Sequence, residues 1–171
     1  MALSTTATIS ADVVFQQQET DGNTFDNRQG SLGYSTGVTS GTGSLNINAV
    51  YNLQSASVSS GSSHSTNFFA LTQDIVGGSM PMSFNNLKTI VVENLSRTTG
   101  EDLSVRATGS NALTEPFNGA SGNLLVKPAS TYMYSDIFTG ATVDTSNKNL
   151  QITNLGTGNI LFNIIAIGVT G

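Results

Sequence analysis

Ser35 stands in a nucleophile motif, because residues 33–37 read Gly-Tyr-Ser-Thr-Gly. In the G-x-S-x-G nucleophile elbow, a serine on a tight strand-to-helix turn attacks a carbonyl with the help of a histidine base. The single histidine, His64, follows Ser35 as that enzyme class requires, but no Asp or Glu lies between them. No helical pattern follows Ser35 either. We therefore interpret the motif as a chance match and predict that the protein is not an enzyme.

Ligands for metal ions are sparse. Residues 21–27, Asp-Gly-Asn-Thr-Phe-Asp-Asn, offer carboxylate and amide oxygens, but they lack the spacing and the closing Glu of a calcium-binding EF-hand. Glu101 and Asp102 follow Gly100 at a predicted hairpin tip, where adjacent residues point to opposite faces, so we predict solvated charges and not a catalytic pair. One histidine and no cysteine leave the common zinc sites out of reach. We expect no metal and no cofactor.

Tyr132 and Tyr134 share one face of a predicted strand, where paired aromatic rings can hold a sugar. Aromatic residues are also favoured in strands for packing alone, and we favour packing for this pair. Other residues that could contact a partner lie in the N-terminal segment and in two predicted loops. The candidate partner-contact residues are Leu3, Ile9, Phe25, Tyr34, His64, Tyr132 and Tyr134.

Charge and hydropathy exclude two classes of partner. The formal net charge is −5, and the six Lys and Arg residues are never adjacent, so we expect no direct binding to nucleic acid, which needs clustered cations. The longest nearly apolar run, residues 160–169, contains Asn163 and is shorter than the roughly 20 residues of a membrane helix. The N-terminal residues lack the pattern of a secretion signal. We expect neither a membrane span nor export by the general route.

Alternation of apolar and polar residues predicts strands along most of the chain, and helical spacing is not sustained anywhere. Predicted strands occupy residues 7–13, 45–53, 67–72, 87–94, 102–108, 123–127, 131–134, 150–154 and 160–169. Residues 19–44 and 55–66, rich in Gly, Ser and Thr, are predicted to be long loops. Strands without crossover helices predict an all-β fold, an antiparallel β-sandwich, with a jelly roll as its expected form.

We predict a single domain over residues 1–171, with 1–20 as an N-terminal arm or edge strand and 84–171 as the region densest in strands. The closing strand is apolar on both alternating faces. Such a strand is covered on both sides within its own domain, or one side is buried against another chain. The sequence leaves both alternatives open.

Three segments together resemble small β-sandwich structural proteins of tailed bacteriophages: residues 87–96, 123–131 and 149–168. In that group a V-x-N strand end, a V-x-P turn and an apolar final strand that closes on Ile-x-Gly recur in this order. Here they correspond to residues 92–94, 126–128 and the strand that ends at Ile167 and Gly168.

The resemblance implies a non-enzymatic virion protein of the capsid decoration, or cement, type. Such a protein would form a homotrimer, bind major capsid subunits on the exterior of the virion and stabilise the phage head, after assembly in the bacterial cytoplasm. The N-terminal segment could add a strand to a neighbouring sheet edge. An alternative from the same group is a tail-tip or fibre domain that binds host surface glycans through loop residues such as Tyr34 and His64.

Overall fold

Nearly every regular element of the protein is a β-strand. The computed structural model describes residues 7–21, 24–75, 78–107, 109–119 and 122–170, and for those up to residue 40 and for 74, 75, 78 and 80 it gives the backbone only. Within these residues the single helical element is one 3-10 turn, Glu115–Phe117. The predicted all-β fold is therefore confirmed.

The first of two large sheets, sheet 1, is antiparallel throughout. Its strands are β4 (Ala49–Val58), β8 (Phe84–Asn94), β11 (Thr131–Ser135), β12 (Ala141–Thr142) and β14 (Ile160–Thr170). They lie in the order β11-β8-β14-β4, and β12 pairs with the beginning of β8. The closing strand β14 is thus central in its sheet, which explains why it needs apolar residues on its inner face.

The second large sheet, sheet 2, is also antiparallel. Its strands are β5 (Ser63–Asn67), β9 (Leu103–Arg106), β10 (Asn123–Val126) and β13 (Asn149–Asn154), in the order β10-β9-β13-β5. Consecutive strands mostly cross from one sheet to the other, since β4, β8, β11 and β14 alternate in the chain with members of sheet 2.

Five shorter or peripheral strands complete the fold. They are β1 (Ala7–Asp21), β2 (Thr24–Ser40), β3 (Asn46–Ile47), β6 (Leu71–Ile75) and β7 (Gly78–Met82). β1 and β2 pair along their whole length as an antiparallel ribbon, and β2 continues into a two-residue parallel pairing with β3. β6 and β7 form a second, shorter antiparallel ribbon.

The core lies between the two sheets and follows the two-residue period of the strands. Each fully buried Leu, Ile or Phe side chain there contributes roughly 1.5–3 kcal/mol to folding. The largest side chains with almost no exposure in this layer are Phe68, Phe84, Phe162, Leu87, Ile90, Leu103, Leu113, Leu150, Ile152, Ile160 and Ile164. Because both sheets supply these residues, the predicted antiparallel β-sandwich is confirmed.

Two fully buried asparagines tie the connections together at one end of the sandwich. Asn94, the last residue of β8, donates from Nδ2 to the carbonyl oxygens of Glu101 (2.8 Å) and Val126 (3.1 Å). Asn154, the last residue of β13, donates in the same way to Val58 (2.8 Å) and to Gly158 (2.7 Å). We call this end, formed by residues 59–62, 95–102, 127–130 and 155–159, the Asn94 end.

The predictions of long loops over residues 19–44 and 55–66 are wrong. Residues 24–40 form β2, because pairing with β1 supplies backbone hydrogen bonds that hold this segment extended. The Gly-, Ser- and Thr-rich sequence itself gives no strand signal. Residues 55–66 contain the end of β4 and most of β5, with only a short turn between them. The strand predicted over 67–72 is interrupted as well, since β5 ends at Asn67 and β6 begins at Leu71.

Candidate interaction surface

The outer face of sheet 1 carries a row of apolar side chains across three neighbouring strands. Ile165 on β14 pairs with Val91 on β8, and Val91 pairs with Met133 on the edge strand β11. Ile165 and Val91 are partly exposed, and Met133 is 37% exposed. We call these three residues the apolar row. Two further apolar residues of this face are exposed, Leu161 at 46% and Val50 at 37%.

The apolar row follows from the composition of β14. Its inner alternation, Ile160, Phe162, Ile164 and Ala166, is fully buried in the core. Its outer alternation is covered at one end only, where Ile167 packs with Ile47 of β3, and Ile137 and Ile165 pack against that pair. Cover within the domain therefore applies to the Ile167 end of β14, whereas Leu161 near its other end is exposed.

Asn163 and Glu93, two polar residues of this outer face, make hydrogen bonds within the chain. Asn163 lies between Leu161 and Ile165 on β14 and donates to the Glu93 carboxylate at 2.8 Å. The backbone N–H of Ser55 donates to Asn163 Oδ1 at 2.8 Å. A partner that covers this face therefore meets polar groups whose hydrogen bonds are already made, which lowers the cost of removing water from them.

The outer face of sheet 2 has a different chemistry. Its neighbouring strands are joined by hydrogen bonds between polar side chains, and one exposed apolar residue, Leu125, lies at its edge. The cross-strand contacts are Ser63 with Thr153 at 2.7 Å, Ser104 with Asn123 at 2.7 Å and Arg106 with Gln151 at 3.0 Å. Of the two faces, sheet 1 is the one suited to apolar contact with another molecule.

The structure scatters the predicted partner-contact residues. Leu3 lies outside the described residues. Ile9 lies in β1, and Phe25 and Tyr34 lie in β2, where the backbone alone is described. These positions belong to the β1–β2 ribbon and not to a loop, so Tyr34 is not a loop residue as predicted. Ser35 lies in β2 and pairs with Ser10 of β1. It therefore stands in an extended strand and not in the sharp turn of a nucleophile elbow.

His64 is not on a loop but on β5, and its ring points between the sheets. The ring lies edge-on to Phe162, with centroids 5.3 Å apart, and Nε2 lies 3.2 Å from the Thr66 hydroxyl. Burial lowers the pKa of His64 below its ordinary value, so the neutral form is favoured. We assign this histidine to packing between the sheets.

Tyr132 and Tyr134 lie on the inner alternation of β11 and not on its outer face. Tyr132 stacks on Phe117, with centroids 6.0 Å apart, and its hydroxyl donates to the Pro116 carbonyl at 3.2 Å. Burial, with a smaller effect of Tyr134, raises the pKa of Tyr132 to about 12. Burial also raises the pKa of Tyr134, and the nearby Asp136 and Glu115 carboxylates add to it. The pair closes the core at a sheet edge, as the packing interpretation predicts.

A cleft of about 400 Å³ lies at the Asn94 end, and more of its lining is apolar than polar. Arg97 and Lys127 are on its rim, and Lys127 forms an ion pair with Asp102 at 2.8 Å. The other oxygen of Asp102 is buried without a hydrogen-bond partner, and the Ser96 hydroxyl donates to Glu101. The prediction that Glu101 and Asp102 are solvated turn charges is therefore wrong, because both are partly buried by neighbouring turns.

The most exposed large apolar residue of the described side chains is not among the predicted contact residues. Phe138 is 65% exposed and lies in the turn 136–140, which follows β11 at the end of the sandwich opposite to Asn94. Ile137 beside it packs inward against the Ile47 and Ile167 pair. No feature of the sequence distinguishes Phe138 from other turn residues, because its exposure depends on how the turn is held.

Two classes of site are not found among the described residues. No group of three His, Cys, Asp or Glu side chains there is placed to hold a metal ion. No helix in the described ranges is long and apolar enough to cross a membrane. In comparisons with known proteins, no family model matches this chain and no curated protein sequence matches it either.

Proposed function

We propose that this chain is a non-enzymatic structural protein of a phage virion that decorates the capsid and binds major capsid subunits. One observation carries the proposal: sheet 1 presents an apolar row to solvent, whereas the outer face of sheet 2 is polar. A cement protein acts by burying surface between subunits, and contiguous exposed apolar residues mark such interaction sites. The docking face is the outer face of sheet 1.

The strand order supports a jelly roll as the form of the sandwich. Four antiparallel pairs follow one another along the chain as β4 with β14, β5 with β13, β8 with β11 and β9 with β10. Each pair is enclosed in sequence by the pair before it, so that β9 and β10 are innermost and β4 and β14 outermost. Folding such a nested ribbon into two facing sheets is the construction of a jelly roll.

The β1–β2 ribbon supports an interaction role as well. A two-stranded ribbon is at best marginally stable in water by itself, and it gains stability by packing on another surface. The register places Ile9, Val13 and Phe15 on one face of the ribbon, opposite Thr36, Leu32 and Gly30 of β2. We propose that this ribbon serves as an arm; the sequence predicts an arm or edge strand over residues 1–20, and β1 is paired with β2.

Sedimentation with undecorated capsids tests this function. We expect the wild-type protein to pellet with capsids at a saturating ratio set by the capsid lattice. The double variant Leu161→Asp, Met133→Asp places two charges on the docking face and should abolish this binding. Leu125→Asp is the matched control, because Leu125 is similarly exposed, at 50%, on the other sheet. Failure of the wild-type protein to bind capsids, or equal binding by the double variant, would refute the assignment.

A second candidate is a tail-tip or fibre domain that binds host glycans, and the charged and hydroxyl groups at the cleft of the Asn94 end favour it. Arg97, Thr99, Asp102 and Lys127 offer donors and acceptors around a space of about 400 Å³, which suits a hydroxyl-rich ligand. Binding of the purified protein to host cell envelopes, with loss of that binding in Arg97→Ala, would support this alternative. Copy number in the virion separates the two functions, since a tail-tip protein is present in few copies.

A further inference from the structure

The turn 136–140 holds Phe138 in a fixed position. The Asp136 carboxylate accepts the backbone N–H groups of Phe138 (3.0 Å) and Thr139 (3.1 Å). The ammonium group of Lys88 donates to the carbonyl oxygens of the same two residues, at 2.8 and 2.9 Å. Both backbone polar groups of Phe138 are therefore bonded within the chain, although its side chain is 65% exposed.

Ordering this turn requires the burial of the charged Lys88 side chain, which costs free energy. The residue is only 4% exposed, and burial of an ammonium group is costly unless it is well hydrogen-bonded. Burial lowers the pKa of Lys88, and the Asp136 carboxylate opposes that effect. The bonds from this buried cation to the two carbonyl oxygens fix the backbone of Phe138 and Thr139. A side chain on a fixed backbone loses less entropy on contact than one on a mobile loop, which suits an interface anchor.

A cleft that could receive such an anchor lies elsewhere on the same chain. It has a volume of about 410 Å³, and its walls come from the β6–β7 ribbon and the turn before it. The cross-strand pairs Leu71 with Met82 and Thr72 with Pro81 form most of the lining, and Phe69 closes one side. The cleft is shallow and open to solvent, so an aromatic ring can reach it, and its lining is mainly apolar, as in most binding sites.

Charges beside the anchor and the cleft are complementary. Asp136 flanks Phe138, and backbone N–H groups, that of Thr139 above all, lower the pKa of its carboxyl and keep it ionised. The Lys148 ammonium lies 5.9 Å from the centre of the Phe69 ring at the cleft, although Asp144 also attracts it. An Asp136 carboxylate brought to the cleft would therefore meet a positive charge.

We propose that Phe138 of one copy of this chain inserts into the Phe69–Met82 cleft of a second copy, so that identical chains join head to tail. Each copy offers one anchor and one cleft, which makes the contact heterologous. Heterologous contacts close into rings when the rotation between copies allows it, and a ring of three would be the homotrimer that the resemblance to phage proteins implies. This inference does not rest on capsid binding.

Analytical ultracentrifugation of the purified protein without capsids tests the contact. We expect wild-type protein to associate as its concentration rises. Phe138→Ala removes the anchor, and Thr72→Trp fills the cleft from an exposed strand position. Each variant alone should be monomeric, with association weakened about thirtyfold or more, as expected for loss of a central anchor. Leu155→Ala, which truncates a residue 55% exposed at the Asn94 end, should associate as the wild type does.

Mixing the two variants gives the decisive result. Phe138→Ala retains an intact cleft and Thr72→Trp retains an intact anchor, so one contact can form between them. We expect a one-to-one heterodimer and nothing larger. Ala70→Arg, at an exposed turn residue of the cleft, replaces Thr72→Trp if circular dichroism shows that the latter is misfolded. A monomeric wild type, undiminished association of Phe138→Ala, or a mixture that stays monomeric would each overturn the proposal.

Discussion

His64 and Phe162 join the two sheets through a single ring contact, with centroids 5.3 Å apart and planes inclined at 65°. His64 belongs to β5, an edge strand of sheet 2, whereas Phe162 belongs to β14 in the centre of sheet 1. The imidazole Nε2 contacts the uncharged Thr66 hydroxyl. The edge of the sandwich is therefore closed by a group whose charge depends on pH.

Acid should destabilise the protein through His64. Burial lowers its pKa in the folded state, whereas the unfolded chain titrates near 6.5. The unfolded state therefore takes up the proton first, and the stability contributed by neutral His64 is lost as the pH falls below about 6.5 toward the folded pKa. We expect the free energy of unfolding, measured in urea at pH values from about 7 to about 5, to fall more steeply in wild type than in His64→Gln. Parallel curves for the two proteins would contradict this prediction.

The buried amide of Asn154 should be among the most sensitive side chains of the fold. Asn154→Asp keeps the shape but removes the two donations to the carbonyl oxygens of Val58 and Gly158. With two buried acceptors left facing a carboxyl group, we expect a loss of about 3 kcal/mol or more in the free energy of unfolding, measured in urea. The control is Asn123→Asp, whose exposed side chain only accepts a bond from Ser104, and its effect should stay within about 0.5 kcal/mol.

The sequence predicts the strands of the sandwich well because alternation is a local signal. The strand predicted over 87–94 lies within β8, and those over 123–127 and 150–154 match β10 and β13 to within one residue. Prediction from alternation fails at β2, where Gly, Ser and Thr residues that favour turns are held extended by pairing with β1. Such pairing depends on residues distant in the chain, and no local pattern reports it.

The candidate surface was harder to predict than the fold. The double alternation of β14 indicates that its outer face needs cover, and the structure supplies that cover at Ile167 but leaves Leu161 exposed. The neighbours Val91 and Met133 become part of one row only through the strand register. Lys88 and Phe138 lie 50 residues apart in the sequence, so the hydrogen bond that orders the turn is visible only in three dimensions.

Replacement of Gly140 by alanine should lower the free energy of unfolding more than the same replacement at Gly100. Both have positive φ angles, +73° and +87°, so alanine is strained at either position by roughly 1–2 kcal/mol. A Cβ at Gly140 would also lie 2.7 Å from the Leu87 carbonyl oxygen, whereas at Gly100 it meets nothing within 4 Å. We expect Gly140→Ala to lower the free energy of unfolding by about 1–3 kcal/mol more than Gly100→Ala, measured in urea. Equal losses would show that the contact with Leu87 has no effect.

Tyr132 should keep its proton far above the pH at which an exposed tyrosine loses it. Burial is the main cause of its raised pKa of about 12, against an ordinary value of 10.0. The unfolded chain loses this proton first, so the stability from neutral Tyr132 is complete below pH 10 and is lost as the pH rises toward 12. In an absorbance titration of the four tyrosines, we expect one phenolate to appear only near pH 12. Tyr132→Phe should abolish this last step and Tyr134→Phe should leave it, whereas its persistence in Tyr132→Phe would assign it to another tyrosine.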